Sequence, residues 1–515
     1  MSTRVKVYPD TYLDSVLQLS GTRSMFEVEG VEWAAAAMAT PANVETLLGQ
    51  GFDEAELGTT SPNDLFVAAR AVDDAALEAA IEAGEQALFS TGGGGAAGEQ
   101  AAERKARTTE EAIGLQAGTN VAVVSVPGDY AALEAHKALT AGLHVLLFSD
   151  NVSVEDEVEL KERAREVGRL LMGPGAGTAM LGGIGLGFAN VVKPGRVGVI
   201  AAAGTGAQEA MCLLDRWGAG VSHVIGLGGR DLSETVDGRM AKLAVAAMRE
   251  DPGTDAILLV SKPPSARVAR DVVGMAGGTP LVAALVGLDA PLDLPDNVEV
   301  LTTLEEGVVR ALAAVGIEAP DPAAGLAEEV EKACARLPEG RRLVRGLFSG
   351  GTLCYESLVI MSRLLGPIHS NTPIDKRYGL PAPAGAHVCL DLGEEEYTKG
   401  RPHPMIDPQA RVELMREEGR SPETAVVLVD VVLGHGSHAD PAGELAPVCA
   451  EIMDGGRGPQ VVAYVLGTEG DPQGFEAQRA KLREAGCIVT ETAARASLAA
   501  AAIALREPAR VTGTP

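Results

Sequence analysis

Short runs of apolar residues, each closed by glycine and followed by a stretch with helical spacing, recur along most of this chain. The pattern is sharpest at Val197-Gly198-Val199-Ile200, which leads into Gly204-Thr205-Gly206-Ala207-Gln208-Glu209. It returns at Leu343-Val344-Arg345-Gly346-Leu347-Phe348, which leads into Gly350-Gly351-Thr352-Leu353-Cys354-Tyr355-Glu356. Each reads as a buried strand, a glycine turn and a helix with a glutamate in its first turns. After each copy come a glycine-bearing strand end (Gly226-Leu227-Gly228-Gly229-Arg230-Asp231; Asp391-Leu392-Gly393), an aspartate expected to open a helix (Asp237; Asp407) and a further apolar strand (256–260; 425–431). The two stretches are copies of one unit, and the second carries an insertion between Glu356 and Asp407.

The same reading divides the rest of the chain. Residues 1–90 form a small α/β region, with a strand at 5–8, a helix from Tyr12, a strand near 24–28 and alanine-rich amphipathic helices as far as Ala87. Residues 91–118 begin with a glycine run and continue with charge, the composition of a flexible linker. Residues 119–193 alternate strand, helix, strand, helix and short strand, a βαβ arrangement that requires a parallel sheet. The first repeat half spans 194–317, a connector with one helix 318–340, and the second half 341–515, with 507–515 expected to fray.

Composition narrows the function classes. At 515 residues the chain exceeds a single core, and 46% hydrophobic residues supply ample apolar material for several. Lys and Arg number 43 against 71 Asp and Glu, so the net charge of −28 repels nucleic acid and anionic membranes. No basic-then-apolar leader occurs at 1–13 and no apolar run is long enough to span a bilayer, from which a cytoplasmic location is expected. The six cysteines show no CxxC spacing and read as reduced thiols. Cys354 differs, because a helix first turn lowers a thiol pKa.

The repeated turns carry the candidate chemistry. Backbone N–H groups at a helix start hold anions without a dedicated cation. Two such starts, at Gly204, Thr205 and Gly206 and at Gly350, Gly351 and Thr352, suggest one shared anion site, although glycine also serves any tight corner. Glu209 and Glu356 suit the first turns of their helices, worth ~0.3–1 kcal/mol. Alternatively they orient a bound group or take a proton, and two such carboxylates near one site would raise a pKa. The insertion offers Arg401 and His403 in Gly400-Arg401-Pro402-His403-Pro404, where the prolines stiffen the loop. Arg401 suits a carboxylate or phosphate and His403 a proton transfer or a polarised carbonyl; a loop ion pair with Glu394, Glu395 or Glu396 is the plainer reading. Arg230, Asp231 and Lys262 lie at strand ends in the first half as further candidates for the same cleft. His435 and His438 fall in a glycine turn, and no metal site is assigned to them.

Several of these segments resemble a known family. Residues 193–200, the Gly-Thr turn, Gly226-Leu227-Gly228-Gly229 and Asp251-Pro252-Gly253-Thr254-Asp255-Ala256-Ile257 resemble the second domain of the succinyl-CoA synthetase α subunit, and the second half resembles the last domain of its β subunit. Phe148-Ser149-Asp150-Asn151-Val152, residues 226–233, Val260-Ser261-Lys262-Pro263-Pro264 and residues 397–408 together resemble the FdrA family over nearly the whole chain. The resemblance implies an α/β protein: an N-terminal CoA-binding-like, Rossmann-like domain followed by two tandem flavodoxin-like domains with parallel sheets. It implies an FdrA-type subunit of a carbamoyltransferase complex, moving a carbamoyl group between an oxamate-like ureide product and phosphate. The partners implied are a small anionic substrate, the other subunits of the complex and a second copy of the chain. An NDP-forming acyl-CoA synthetase needing a separate ATP-grasp subunit is the alternative, and a non-catalytic scaffold the third. Two departures weigh against the synthetase: there is no room for an ATP-grasp module, and residues 282–289 lack the phosphate-carrying histidine of that family. CoA or a nucleotide remains a candidate ligand for the N-terminal domain, although Pro9-Asp10-Thr11 stands where a glycine-rich phosphate loop would be.

Overall fold

The computed structural model describes all residues except Met1, Asp14, Glu27, 54–56, 58–59, 90–105, 107, 289–293 and 399–401. The glycine run at 91–98 and Arg401 lie outside the described residues. The chain forms two compact units, Met1–Arg104 and Lys105–Pro515.

In the first unit, strand Leu65–Ala71 lies between strands Ser2–Tyr8 and Val31–Met38 and is antiparallel to both. The outer strands are therefore parallel to each other, linked through helix Ser15–Phe26 as a split βαβ. Two expectations are corrected here. The segment near 24–28 ends a helix rather than forming a strand, and its Met25 is fully buried in the core. Ala34 to Ala37 sit in a strand, not a helix. Alanine's helix preference is worth only ~0.7 kcal/mol per residue at most, and it yields to pairing with Leu65–Ala71 and to an alternating burial that places small side chains against both layers.

The second unit opens with the helix Thr109–Leu115, inside the stretch expected as linker. Three parallel strands follow, Val121–Val124, His144–Leu147 and Leu171–Met172, connected by helices Gly128–Thr140 and Val154–Glu166. The chain then makes a hairpin, Thr178–Leu181 and Ile184–Gly187, which the periodicity did not indicate. It extends the next sheet antiparallel through Val224 and Met180.

Both repeat halves are doubly wound sheets. In the first, Pro194–Ala202 lies between Val221–Gly226 and Ala256–Ser261, with Leu281–Leu285 and Val298–Leu301 beyond. In the second, Leu343–Phe348 lies between His387–Asp391 and Thr424–Val432, with Gln460–Leu466 and Ile488–Thr490 beyond and the short Ile368–His369 at the opposite edge. All these pairings are parallel, and the strand order is that of a flavodoxin-like fold. Covered on both faces, Ala256–Ser261 and Thr424–Val432 are buried at every position, which is why they read as unbroken apolar runs.

Helices Gly204–Arg216, Leu304–Ala314, Gly351–Leu365 and Ala493–Leu505 contribute to one core shared by the two halves. Helix Leu326–Arg336 of the connector adds Leu326, Val330 and Ala333 to it. The terminal segment is not frayed: Val511 is fully buried and Arg495 Nη1 donates to the carbonyls of Val511 and Gly513, each at 2.8 Å. Asp237 does not open the helix Arg239–Glu250. Asp231 does so, accepting the Met240 and Ala241 N–H groups at 3.3 and 2.9 Å, while Asp237 pairs with Lys242 and Arg267. Asp407 accepts the Gln409 N–H at the start of Gln409–Arg420.

Candidate active site where the two half-domains meet

Ligands of doubly wound sheets bind beyond the carboxyl ends of the strands, at the crevice where the strand order reverses. The two Gly-Thr turns follow the central strands Pro194–Ala202 and Leu343–Phe348, and they touch. The Thr352 N–H donates to Thr205 Oγ1 at 3.2 Å. A Cβ on Gly206 would sit 2.9 Å from Thr352 Cγ2, and one on Gly350 would sit 3.0 Å from Thr205 Cγ2, so close approach is what requires glycine at both positions. The positive ends of two helix dipoles are thereby brought together, an arrangement that calls for negative charge.

Part of that charge is built in. Asp430 accepts the Ser349 and Gly350 N–H groups at 2.7 Å each and the Ser349 hydroxyl at 3.0 Å, and pairs with buried Arg411 at 2.8 Å. Two of the N–H groups of the second turn thus face a carboxylate of the chain itself. Asp391 lies on the other side of the central strand, in register with Phe348. Its carboxylate accepts the Gly393 N–H at 3.0 Å and packs so closely on Gly351 that an added Cβ there would overlap it. Burial pushes the Asp391 carboxyl up to about 6 against the opposing charge of Lys262, while Glu394 and Asp430 push in the same direction as burial.

Among the described residues the first turn has no such internal partner. Its N-cap, Ala203, offers no side-chain acceptor; Gly204 is exposed and Thr205 half-buried. Half-buried Lys262, on the loop after Ala256–Ser261, holds its ammonium 5.9 Å from the centre of the Tyr355 ring. Among the described residues it makes no ion pair within 4.0 Å.

Glu209 and Glu356 lie beneath the turns, and each reaches across to the other half. Glu356 accepts the Leu304 N–H at 2.6 Å, at the start of the last helix of the first half. Glu209 accepts the Tyr464 hydroxyl at 2.5 Å and lies 3.5 Å from the Ala493 N–H, at the start of the last long helix of the second half. Burial raises Glu209 to about 7 and Glu356 to about 8, and the charge of Glu209 adds to the rise at Glu356. Both carboxyls are about 1% exposed, so they face protein rather than solvent.

His403 is neutral at physiological pH, because burial lowers it to about 4. Its Nδ1 accepts the Met405 N–H at 3.2 Å, which leaves the proton on Nε2. The ring packs on Gly393, where an added Cβ would lie 2.6 Å from Nε2, and against Phe188 at 6.4 Å between centroids. His435 is exposed and His438 half-buried, and no group of three metal-ligating side chains occurs among the described residues. Cys354 is fully buried, and desolvation pushes its thiol well up, reversing the effect expected of its helix position.

Arg230 and Asp231 belong to a different network. Buried Lys161 donates to Glu157 at 2.7 Å, to Asp231 at 2.8 Å and to the Leu227 carbonyl at 2.9 Å, and Arg230 pairs with Glu157 at 2.7 Å. These contacts fasten helix Val154–Glu166 to the first half. Asp430, Arg411 and Tyr464 escaped the sequence reading, and Asp391 was read as part of a strand end without a role of its own. For Asp430 the signal was there, one acid inside the apolar run 425–432, where a charge survives only if it is paired.

Comparison with known proteins gives the following. Residues 347–503 match the family described as CoA-ligase, and residues 1–106 match the one described as AllF, heavy metal-associated domain. The chain is 37% identical over 511 residues to the uncharacterized protein YahF of Escherichia coli, covering 97% of this chain and 98% of that protein. It is 29% identical over 190 residues to succinate–CoA ligase [ADP-forming] subunit alpha 2 of Archaeoglobus fulgidus, covering 36% of this chain and 64% of that protein. Among solved structures, the dinucleotide-forming acetyl-coenzyme A synthetase 1 of Ca. Korarchaeum cryptofilum aligns over 76% of this chain and 84% of its own, at 17% identity and a TM-score of 0.26. A heavy metal does not fit the N-terminal unit as its family description would have it: residues 1–106 contain no cysteine and no histidine, and of the thioether sulfurs that could replace them Met25 and Met38 are both packed in the hydrophobic core.

Proposed function

The chain belongs to the family of Escherichia coli YahF, within the FdrA-type, acyl-CoA synthetase-like superfamily, and on that premise we propose that it is the carbamoyl-transferring subunit of a multi-subunit enzyme. The reaction exchanges a carbamoyl group between an oxamate-like amide nitrogen and phosphate. An oxygen of hydrogen phosphate attacks the carbamoyl carbon, the C–N bond breaks, and the proton carried in by phosphate ends on the amide nitrogen. Carbamoyl phosphate and the free amide result.

The observation that carries this reading is the junction itself: two helix starts in contact through Thr205 and Thr352, one neutralised by Asp430 and the other uncapped at an exposed glycine, with Lys262 following Ser261, the register partner of Ala202 on the neighbouring strand. Such a turn binds one phosphate-sized anion through the Gly204 and Thr205 N–H groups and the ammonium. His403, neutral and packed on Gly393, orders the loop that carries Asp391, and its sequence neighbour Arg401 is assigned to the carboxylate of the oxamate-like partner. Glu209 and Glu356 act from below by fixing the two helices that present the turns. The segment that bears a phosphate-carrying histidine in succinyl-CoA synthetases is here apolar: a Cβ on Gly287 would lie 3.0 Å from Val359 and 3.6 Å from Tyr355. A phosphorylated protein intermediate is not part of the proposal.

The test is an assay of the chain purified with its co-expressed partner subunits, supplied with N-carbamoylated oxamate and phosphate and coupled to a carbamate kinase. Phosphate-dependent release of oxamate with formation of carbamoyl phosphate is the expected result. ADP-linked formation of a CoA thioester, without any carbamoyl transfer, would replace this reading with that of an acyl-CoA synthetase. Transfer that survives alanine at both Lys262 and Thr205 would leave the chain a scaffold.

A further inference from the structure

The two carboxylates beside the Ser349 turn do different work. Asp430 is saturated by two backbone N–H groups, one hydroxyl and Arg411. Asp391 is held mainly by its backbone. Asn371 Oδ1 accepts its N–H at 2.9 Å and Asn371 Nδ2 donates to its carbonyl at 2.8 Å, so the residue keeps its place whatever its side chain does. Its carboxylate takes the Gly393 N–H, abuts Gly351 at the start of the second helix, and has no cation within ion-pair distance among the described residues. A carboxyl that is 3% exposed, lightly partnered and set against a helix start is placed to exchange a proton with whatever the junction holds.

Resting on the carbamoyl-transfer reading, we propose that Asp391 is the proton-transfer residue of this site. As the C–N bond of the carbamoylated amide breaks, Asp391 gives its proton to the departing nitrogen. It regains one from the hydrogen phosphate whose oxygen forms the new C–O bond, so the residue ends as it began. The charged and titratable groups around it are Lys262 on the loop from the first half, Glu394 on its own loop, Asp430 on the adjacent strand, the Cys354 thiol on the Gly351 helix, and His403 against Gly393. Burial and the two acids hold the carboxyl near neutrality and Lys262 moderates the rise. That balance suits a group which must be acid in one direction of reaction and base in the other.

The experiment uses the full chain with its partner subunits. Asp391→Asn is expected to lower kcat by ~100-fold or more while the KM for phosphate stays within about threefold, and to abolish the limb of the pH–rate profile near pH 6. Glu394→Gln, at an exposed position on the loop after Asp391, is expected to move that limb to lower pH, because one of the charges that adds to the rise is gone. Thermal melts followed through Trp217 report whether each variant is folded, and Glu394→Gln decides the matter if Asp391→Asn does not fold. A wild-type pH limb in either variant, or wild-type kcat in folded Asp391→Asn, overturns the assignment while leaving carbamoyl transfer intact. If the unaltered enzyme forms no carbamoyl phosphate, the reading beneath the assignment falls, and the assignment with it.

Discussion

Glu356→Gln tests whether the buried carboxyl beneath the second turn is kept protonated. Glu356 is fully buried, accepts the Leu304 N–H at 2.6 Å, and stands at about 8 instead of the ordinary 4.5. Its folded value exceeds its unfolded one, so the stability linked to its proton is complete below about pH 4.5 and drains away as pH rises through about 8. At ~1.4 kcal/mol per tenfold change in proton affinity, that rise amounts to an upper figure of ~5 kcal/mol by strongly alkaline pH. Glutamine keeps the oxygen that accepts from Leu304 and has no proton to lose. The variant should be within ~1 kcal/mol of the parent at pH 5 and more stable than it above pH 8. The assay is thermal and urea unfolding between pH 5 and 9 followed through Trp217, which is 7% exposed and ends the Gly204 helix. Midpoints rather than free energies are compared, since a chain of several domains need not unfold in two states. An alkaline loss in Glu356→Gln equal to that of the parent would refute the argument, leaving Glu209, at about 7, to account for the slope.

Thr205→Val removes the acceptor of the Thr352 N–H without changing shape, and should lower the unfolding midpoint by an amount matching ~1–3 kcal/mol while weakening phosphate protection against heat. Asp430→Ala strips two turn N–H groups of their acceptor and leaves Arg411 buried and unpaired. A loss of ~3–5 kcal/mol is expected, measured by urea unfolding, and a change below ~1 kcal/mol would contradict it. Gly206→Ala forces a methyl to within 2.9 Å of Thr352 Cγ2, so the junction should open and the melting temperature fall by an amount matching ~1–3 kcal/mol. Cys354, buried with its thiol pushed up, should resist alkylation by iodoacetamide until the second half unfolds, as mass spectrometry of the tryptic peptides would register.

What could be read from the sequence was what local pattern encodes. Strands covered on both faces give unbroken apolar runs such as 256–260, and a glycine turn after them marks the helix start, so the paired doubly wound halves were legible from repetition. The repeat marked both turns, whereas the contact of Thr205 with Thr352 depends on how the two halves pack. Where tertiary contacts outweigh local preference, the reading failed. Ala34 to Ala37 pair into a sheet despite their helical bias, and the last residues are tied down by Arg495, a partner invisible to neighbouring positions. The Asp430–Arg411 pair and the Asn371 clamp on Asp391 bring together residues about 20 positions apart by packing a helix and a loop against the strand ends, which no spacing rule encodes. Asp231 outcompetes Asp237 as a cap because Lys161, from the preceding βαβ, holds it in place.

The crossed reach of Glu209 and Glu356 bears on how such a protein could be cut or assembled from pieces. Each acid supplies an acceptor at the start of a helix in the opposite repeat, so a gene broken within the connector would yield two fragments with reciprocal deficits, each exposing an orphaned carboxyl and a bare helix end. Neither fragment should persist by itself, yet mixing them should restore both, since what one lacks the other presents. The two repeats are in this way a complementary pair, bound by the glutamates that occupy matching positions in each.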